Sequence, residues 1–287
     1  MKTDKIQAPV LPRRAIDAHK GDSGRLLLVA GAIGTSGAAR LAARGALGAG
    51  VGLLTVAVPE PIRSEVAVEE PAFMTAGLRS TLAGTIAYPA AREILARAGL
   101  ANALAIGPGL GTHEETVACV RRIVADVTVP IVVDADALNA LAQAGPLKIS
   151  RLRVWTPHPG EAARLLNVDV ATVVRDREGA ARALSSRLGG TVVLKGAGTL
   201  VTDGHVLLHN PTGNAGLATG GSGDVLTGMI GALLASGLDP LEAACAAVYM
   251  HGQAADEVYA NAGERGVSMR ALLAALPAVV ARHEAAG

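Results

Sequence analysis

The chain has 287 residues, half of them hydrophobic, with a net charge of +1 and only 2% aromatic residues. That balance excludes the basic footprint of a nucleic-acid binder and the aromatic platform of a single-strand binder. It leaves ample apolar mass for a large core, read here as one α/β domain over 1–287.

Met1 to Val10 lacks the apolar segment of a secretory signal. Uncharged apolar runs such as Gly45 to Pro59 are too short and too glycine-rich to span a membrane. The expectation is a cytoplasmic protein with neither a membrane nor a nucleic-acid partner. Cys119 and Cys245 lie in alanine-rich helical patterns without metal spacing and read as buried free thiols.

In chain order, Arg25 to Ala30 reads as a buried strand, Gly31 to Gly37 as a loop and Ala38 to Ala49 as a helix. Gly52 to Val58 is the next strand, which completes a βαβ pattern and predicts a parallel sheet. Ala103 to Ile106 is a strand that runs into Gly107 to Gly111, and His113 to Asp126 is a helix. Pro130 to Val133 is a strand ending at Asp134-Ala135-Asp136, with a helix over Ala137 to Ala144. Val154 to Thr156 is a strand, and His158, between Pro157 and Pro159, reads as part of an irregular loop. Asp169 to Leu188 reads as one helix, and Thr191 to Leu194 as a strand ending at Lys195. Asp203-Gly204 signals a hairpin between Thr199 to Thr202 and His205 to Leu208. Val225 to Ala235, Pro240 to Tyr259 and Met269 to Arg282 read as helices.

The unusual loops all follow strands. In a mostly parallel sheet they gather at the carboxyl edge, where ligands bind. The most unusual segment, Asn210 to Gly231, holds seven glycines and turns helical in its second half. Gly221, Ser222 and Gly223 lead into a helix, and a helix N-terminus suits a phosphate. Asp224 is either a general base beside a transferred group or simply the cap of that helix. Lys195, beside Gly196 and Gly198, is placed to meet a nucleotide phosphate or is a surface lysine in a turn. His158 either holds a polar substrate group or is a plain loop residue. Asp134 and Asp136 either bind Mg2+ through water or cap the following helix, with capping favoured for at least one. P-loop, dinucleotide-binding and nucleophile-elbow motifs are absent, and the scattered histidines make no transition-metal set and no Ser-His-Asp arrangement.

Several segments together resemble the ADP-dependent NAD(P)H-hydrate dehydratase family, within the ribokinase-like superfamily. They are H-K-G-D-S-G-R-L-L-L-V-A-G (19–31), S-G-A-A (36–39), A-I-G-P-G-L-G-T (105–112), V-V-D-A-D-A-L (132–138), T-P-H-P-G-E (156–161), V-L-K-G-A-G-T (193–199) and the long glycine loop. The resemblance implies a ribokinase-like α/β fold and repair of hydrated NADH or NADPH, with ADP as co-substrate and Mg2+ as the accompanying ion. It implies that Asp224 is catalytic and that Lys195, Gly196, Ala197, Gly198, Thr199, Gly221, Ser222 and Gly223 bind the nucleotide. It puts Ala38, Ala39, Gly109, Gly111 and His158 on the hydrate side, with Asp224 also touching the hydrate, and assigns no metal ligands. By analogy it implies a homo-oligomer, a tetramer in relatives. The epimerase domain fused to many relatives finds no room before His19, so a separate epimerase is the expected pathway partner. Two other readings stay open: a small-molecule kinase of the same superfamily, and a non-catalytic nucleotide sensor.

Overall fold

A computed structural model describes residues 4–142 and 150–284. The first half runs β1 (Asp4–Lys5), β2 (Arg25–Val29), α1 (Ser36–Gly48), β3 (Leu53–Pro59), α2 (Arg63–Ala67), β4 (Met74–Leu78), α3 (Ala90–Ala98) and β5 (Ala103–Ile106). Then come α4 (Glu114–Asp126), β6 (Ile131–Val133), α5 (Ala135–Ala142), β7 (Arg153–Trp155), α6 (Pro159–Leu166), α7 (Val170–Arg175), α8 (Arg177–Leu188) and β8 (Thr191–Leu194). The chain closes with β9 (Leu200–Thr202), β10 (Leu207–His209), α9 (Ser222–Ala235), α10 (Pro240–Ala262) and α11 (Met269–Arg282).

The strands form one ten-stranded sheet in the order β1-β10-β9-β8-β7-β6-β5-β2-β3-β4. From β4 across to β8 every neighbouring pair is parallel, so these strands deliver their following loops to one edge. Alternation along the strands accounts for the layers. Leu26 and Leu28 join the core under α1, α9, α10 and α11, while Leu27 and Val29 join the core under α3 to α8. A strand apolar on both faces needs helices on both, as parallel sheets have.

Helix α9 is the central helix, with twelve of its fourteen residues buried. It packs on α1 through two glycines. A Cβ on Gly45 would lie 2.3 Å from the Val225 oxygen, and one on Gly228 would lie 1.8 Å from the Ala42 oxygen. Only glycine permits backbones so close. The crossing sets the start of α9 relative to the start of α1, and both starts lie at the candidate site.

Several expectations need correction. The helix expected over Asp169 to Leu188 is two helices, because Asp176 accepts a 2.8 Å bond from the Gly179 N–H and starts α8 afresh. His158 is no irregular loop residue but the N-cap of α6, with Pro159 at the first helical position. Helix α5 begins at Ala135, and its expected end at Ala144 lies outside the described residues. The two-residue turn at Asp203-Gly204 is a longer loop, since Thr202 pairs with Leu207. Cys119 is buried but Cys245 only half-buried. Strands β1 and β4 and helix α3 were not anticipated. Among the described residues no helix is long and apolar enough to cross a membrane.

Candidate active site

The carboxyl edge of the sheet gathers a charged centre. Asp134 follows β6 and is almost wholly buried. Its Oδ1 accepts a 2.7 Å bond from Lys195 Nζ, and its Oδ2 accepts a 2.7 Å bond from Thr227 Oγ1 of α9. Neither oxygen caps α5, so the capping expectation for Asp134 is corrected. Asp136 does not cap it either: its Oδ2 accepts the Gly111 N–H at 2.8 Å and its Oδ1 faces the Asn139 amide.

Lys195 also faces Glu161, at 3.9 Å. It is therefore no free surface lysine. Burial pulls its pKa down, but Asp134 and Glu161, with help from Asp224, outweigh burial and hold it above its ordinary value. Glu161 is buried and pushed up to about 7, chiefly by burial, against the pull of Lys195. Its Oε2 accepts the His158 N–H at 2.8 Å, while His158 Nδ1 accepts the Gly160 N–H at 3.0 Å. This reciprocal capping box fixes the start of α6. Burial, together with Lys195 and Arg164, keeps the half-exposed His158 below its ordinary pKa.

Helix α9 starts at Gly221, whose φ of 92° is left-handed and suits glycine, and no side chain caps its N-terminus. Asp224 lies in the first turn and is not the cap, which corrects the capping reading. No donor among the described residues hydrogen-bonds its carboxylate. Burial first, then the charges of Asp134 and Asp136, lift it to about 7 against the pull of Lys195.

A cleft of about 680 Å3 opens above this turn. Lys195 to Thr199, Ser222, Gly223 and His158 line it, so the two expected nucleotide segments face each other across one space. Arg177 of α8 braces the Lys195 turn by donating to the carbonyls of Leu194, Lys195 and Ala197. Opposite, Asn210 to Leu217 is tied to α10. Thr212 Oγ1 donates to the Tyr249 carbonyl at 2.8 Å, and Asp256 accepts from the Gly213 N–H and the Asn214 amide. Ser222 Oγ lies 3.4 Å from Nε2 of His251, a buried histidine that burial pushes down to about 4.

Of the expected hydrate-side residues, Ala38 and Gly109 meet where the start of α1 approaches the loop after β5. Thr35, just before α1, donates to the Gly109 carbonyl at 2.7 Å and accepts the Ala38 N–H at its own carbonyl. Gly111 is reached through Asp136. Ala38 is half-buried, whereas Ala39 is fully buried and offers no exposed side chain. His158 sits in the cleft with Lys195 to Thr199 and not with Ala38, Gly109 and Gly111. Glu161, Thr227 and His251 were not singled out from the sequence. Glu161 was discoverable as the third helical residue after a capping His-Pro, and Thr227 as one turn beyond Asp224.

Among the described residues no group of three His, Cys, Asp or Glu side chains is placed to hold a metal ion. The Asp134 carboxylate is committed to an ammonium and a hydroxyl, and Glu161 to a helix start and the same ammonium. This donor set does not fit a resident Mg2+.

The chain is 44% identical over 284 residues to a bifunctional NAD(P)H-hydrate repair enzyme of Moorella thermoacetica, covering 96% of this chain and 52% of that one. It thus spans about half the length of the first curated relatives it matches. It is 42% identical over 260 residues to an ADP-dependent (S)-NAD(P)H-hydrate dehydratase of Neisseria meningitidis, covering 88% of this chain and 83% of that one. Among solved structures, a ribokinase-like superfamily protein of Enterococcus faecalis aligns with a TM-score of 0.84 at 25% identity over 96% of this chain and 93% of that one. An ADP/ATP-dependent NAD(P)H-hydrate dehydratase of Bacillus subtilis, co-crystallised with ATP/Mg2+, aligns with a TM-score of 0.81 at 31% identity, over 96% of this chain and 95% of that one. The fold is therefore ribokinase-like. A family model described as NAD(P)H-hydrate dehydratase matches residues 26–278, and the chain belongs to that family.

Proposed function

We propose that this protein uses ADP to dehydrate the 6-hydroxy hydrates of NADH and NADPH, releasing AMP and phosphate and restoring the dihydronicotinamide. The observation that carries the reading is Asp224: a carboxylate without a hydrogen-bond donor, lifted to about 7, in the first turn of an uncapped helix facing a half-buried lysine. Hydroxyl is a poor leaving group. Its oxygen attacks the β-phosphorus of ADP, Asp224 takes the hydroxyl proton, and AMP departs. The ring nitrogen's lone pair then expels phosphate, and a proton leaves the adjacent ring carbon to restore the double bond.

In this reading the first-turn N–H groups of α9 and Lys195 stabilise the phosphoryl charge in flight. ADP occupies the cleft between Lys195 to Thr199 and Gly221 to Gly223. The hydrate lies toward Ala38, Gly109 and Gly111, with His158 holding one of its polar groups and the backbone of Ala39 as its only means of contact. Mg2+ arrives with the phosphates of the nucleotide, as an ion that the protein itself does not hold. The enzyme works as a homo-oligomer, with an epimerase activity that interconverts the hydrate epimers acting in the same repair.

The test is turnover of the hydrate with ADP, assayed for both free phosphate and dihydronicotinamide absorbance. Wild type should yield both. Asp224→Asn should bind ADP and lose about 100- to 10,000-fold in rate. A phosphorylated alcohol that accumulates would point to a kinase, and no ADP-dependent turnover to a sensor. Near-normal turnover in Asp224→Asn would sink the catalytic assignment.

A further inference from the structure

The base needs a carboxylate that is not already paired, yet Asp224 shares its surroundings with a half-buried ammonium. Lys195 acts on Asp224 electrostatically but makes its ion pairs with Asp134 and Glu161. Three placements produce that outcome. Asp134 meets Lys195 Nζ at 2.7 Å, the shorter of its two ion pairs. Thr227, one turn after Asp224 and wholly buried, donates to the other Asp134 oxygen and so fixes the rotation of the carboxylate. The ammonium is thereby held against the start of α9: a Cβ on Gly223 would lie 3.3 Å from Nζ and 3.8 Å from Asp134 Oδ2.

Building on the proposed reaction, we infer that Asp134 is a positioning residue: oriented by Thr227, it anchors the Lys195 ammonium at the phosphate end of α9 and so keeps it from pairing with Asp224. Without Asp134 the nearest strong acceptors for Lys195 are Glu161 and Asp224. An ammonium that collapses onto Asp224 makes it a weaker base and is lost to the phosphates at the same time.

The charged groups that act on Asp224 are Asp134 after β6, Asp136 in the first turn of α5 and Lys195 after β8, while Glu161 and His158 at the start of α6 face Lys195. His251 of α10, behind Ser222, is neutral. Removing the Asp134 charge while freeing Lys195 acts on Asp224 in one direction, toward easier ionisation.

The experiment compares the full chain with Asp134→Asn, Thr227→Val and Asp224→Asn, using hydrate and ADP across the pH range. Carbon-detected NMR titration of the Asp224 carboxyl in the free enzyme runs alongside. Asp134→Asn should move the acid limb of kcat/KM down by about one pH unit or more and lower the plateau roughly tenfold. The NMR midpoint of Asp224 should fall in parallel. Thr227→Val should shift both the same way by less, and it carries the test if Asp134→Asn does not fold. Because Asp134→Asn also removes a charge that acts on Asp224 directly, the deciding variant is Thr227→Val, which keeps that charge: lower thermal stability with its limb and NMR midpoint unmoved overturns the inference. If Asp224→Asn keeps its turnover, the base reading fails instead, and the NMR midpoint in Thr227→Val still decides whether an oriented Asp134 keeps Lys195 off Asp224.

Discussion

The charge of Asp134 acts on Asp224 and, next to burial, is the strongest influence lifting that carboxyl to about 7 from an ordinary 3.8. Between those values the native state binds more protons than the unfolded chain, so stability falls as pH rises through that window. Glu161, lifted from 4.5 to about 7, contributes with the same sign. Asp224→Asn removes one ionisation and should raise Tm at alkaline pH by at least about 2 °C. The gain should shrink steadily as the pH falls below the native midpoint and close near the ordinary value of 3.8, where Asp224 is protonated in both states. Thermal melts at several pH values read it directly, and a gain that persists in acid would assign the effect to something other than charge.

Gly223 leaves room for the Lys195 ammonium at the start of α9. Gly223→Val places a branched side chain where the phosphate is proposed to sit and presses on Lys195. Overpacking of that order weakens binding by about 1–3 kcal/mol, or roughly tenfold upward in Kd for ADP. Calorimetry on a folded Gly223→Val protein with unchanged affinity would show that the nucleotide lies elsewhere.

His158 has a capping role besides any contact with substrate. His158→Ala should therefore cost about 1 kcal/mol of stability, and His158→Asn, which can still cap, should recover most of it. Both variants should raise KM for the hydrate and leave ADP affinity nearly unchanged. A rise confined to the ADP side would match the cleft in which His158 sits and reverse the division of roles.

The α1–α9 crossing admits no extra atoms. Gly228→Ala forces a methyl into the Ala42 carbonyl, so the helices must part. A loss of about 3 kcal/mol or more is expected in a denaturant titration. A conservative swap on the exposed face of α8, such as Arg187→Lys, should leave stability within about 0.5 kcal/mol.

The strands β2, β5, β6, β7 and β8 were legible because each is a short apolar run closed by glycine, proline or aspartate. Strand β4 (Met74–Leu78) was not, since Gly77 interrupts its pattern and Met74 is exposed. Helix α6 was hidden by the two prolines around His158, although proline at a first helical position starts helices as readily as it ends them. At the site, the glycine loop pointed to Asp224 because backbone freedom and a stray carboxylate are visible locally. The fixing of Asp134 by Thr227, 93 residues away in sequence, is a tertiary contact that no local pattern encodes.

The segment from Asn210 to Leu217 looks from its glycines like a chain awaiting its ligand. Its ties to Tyr249 and Asp256 give it a different character. Its conformational entropy is surrendered when the protein folds and not when a nucleotide arrives. The far wall of the cleft is thus preorganised, and limited proteolysis should cut this segment no faster in the free protein than in the protein saturated with ADP.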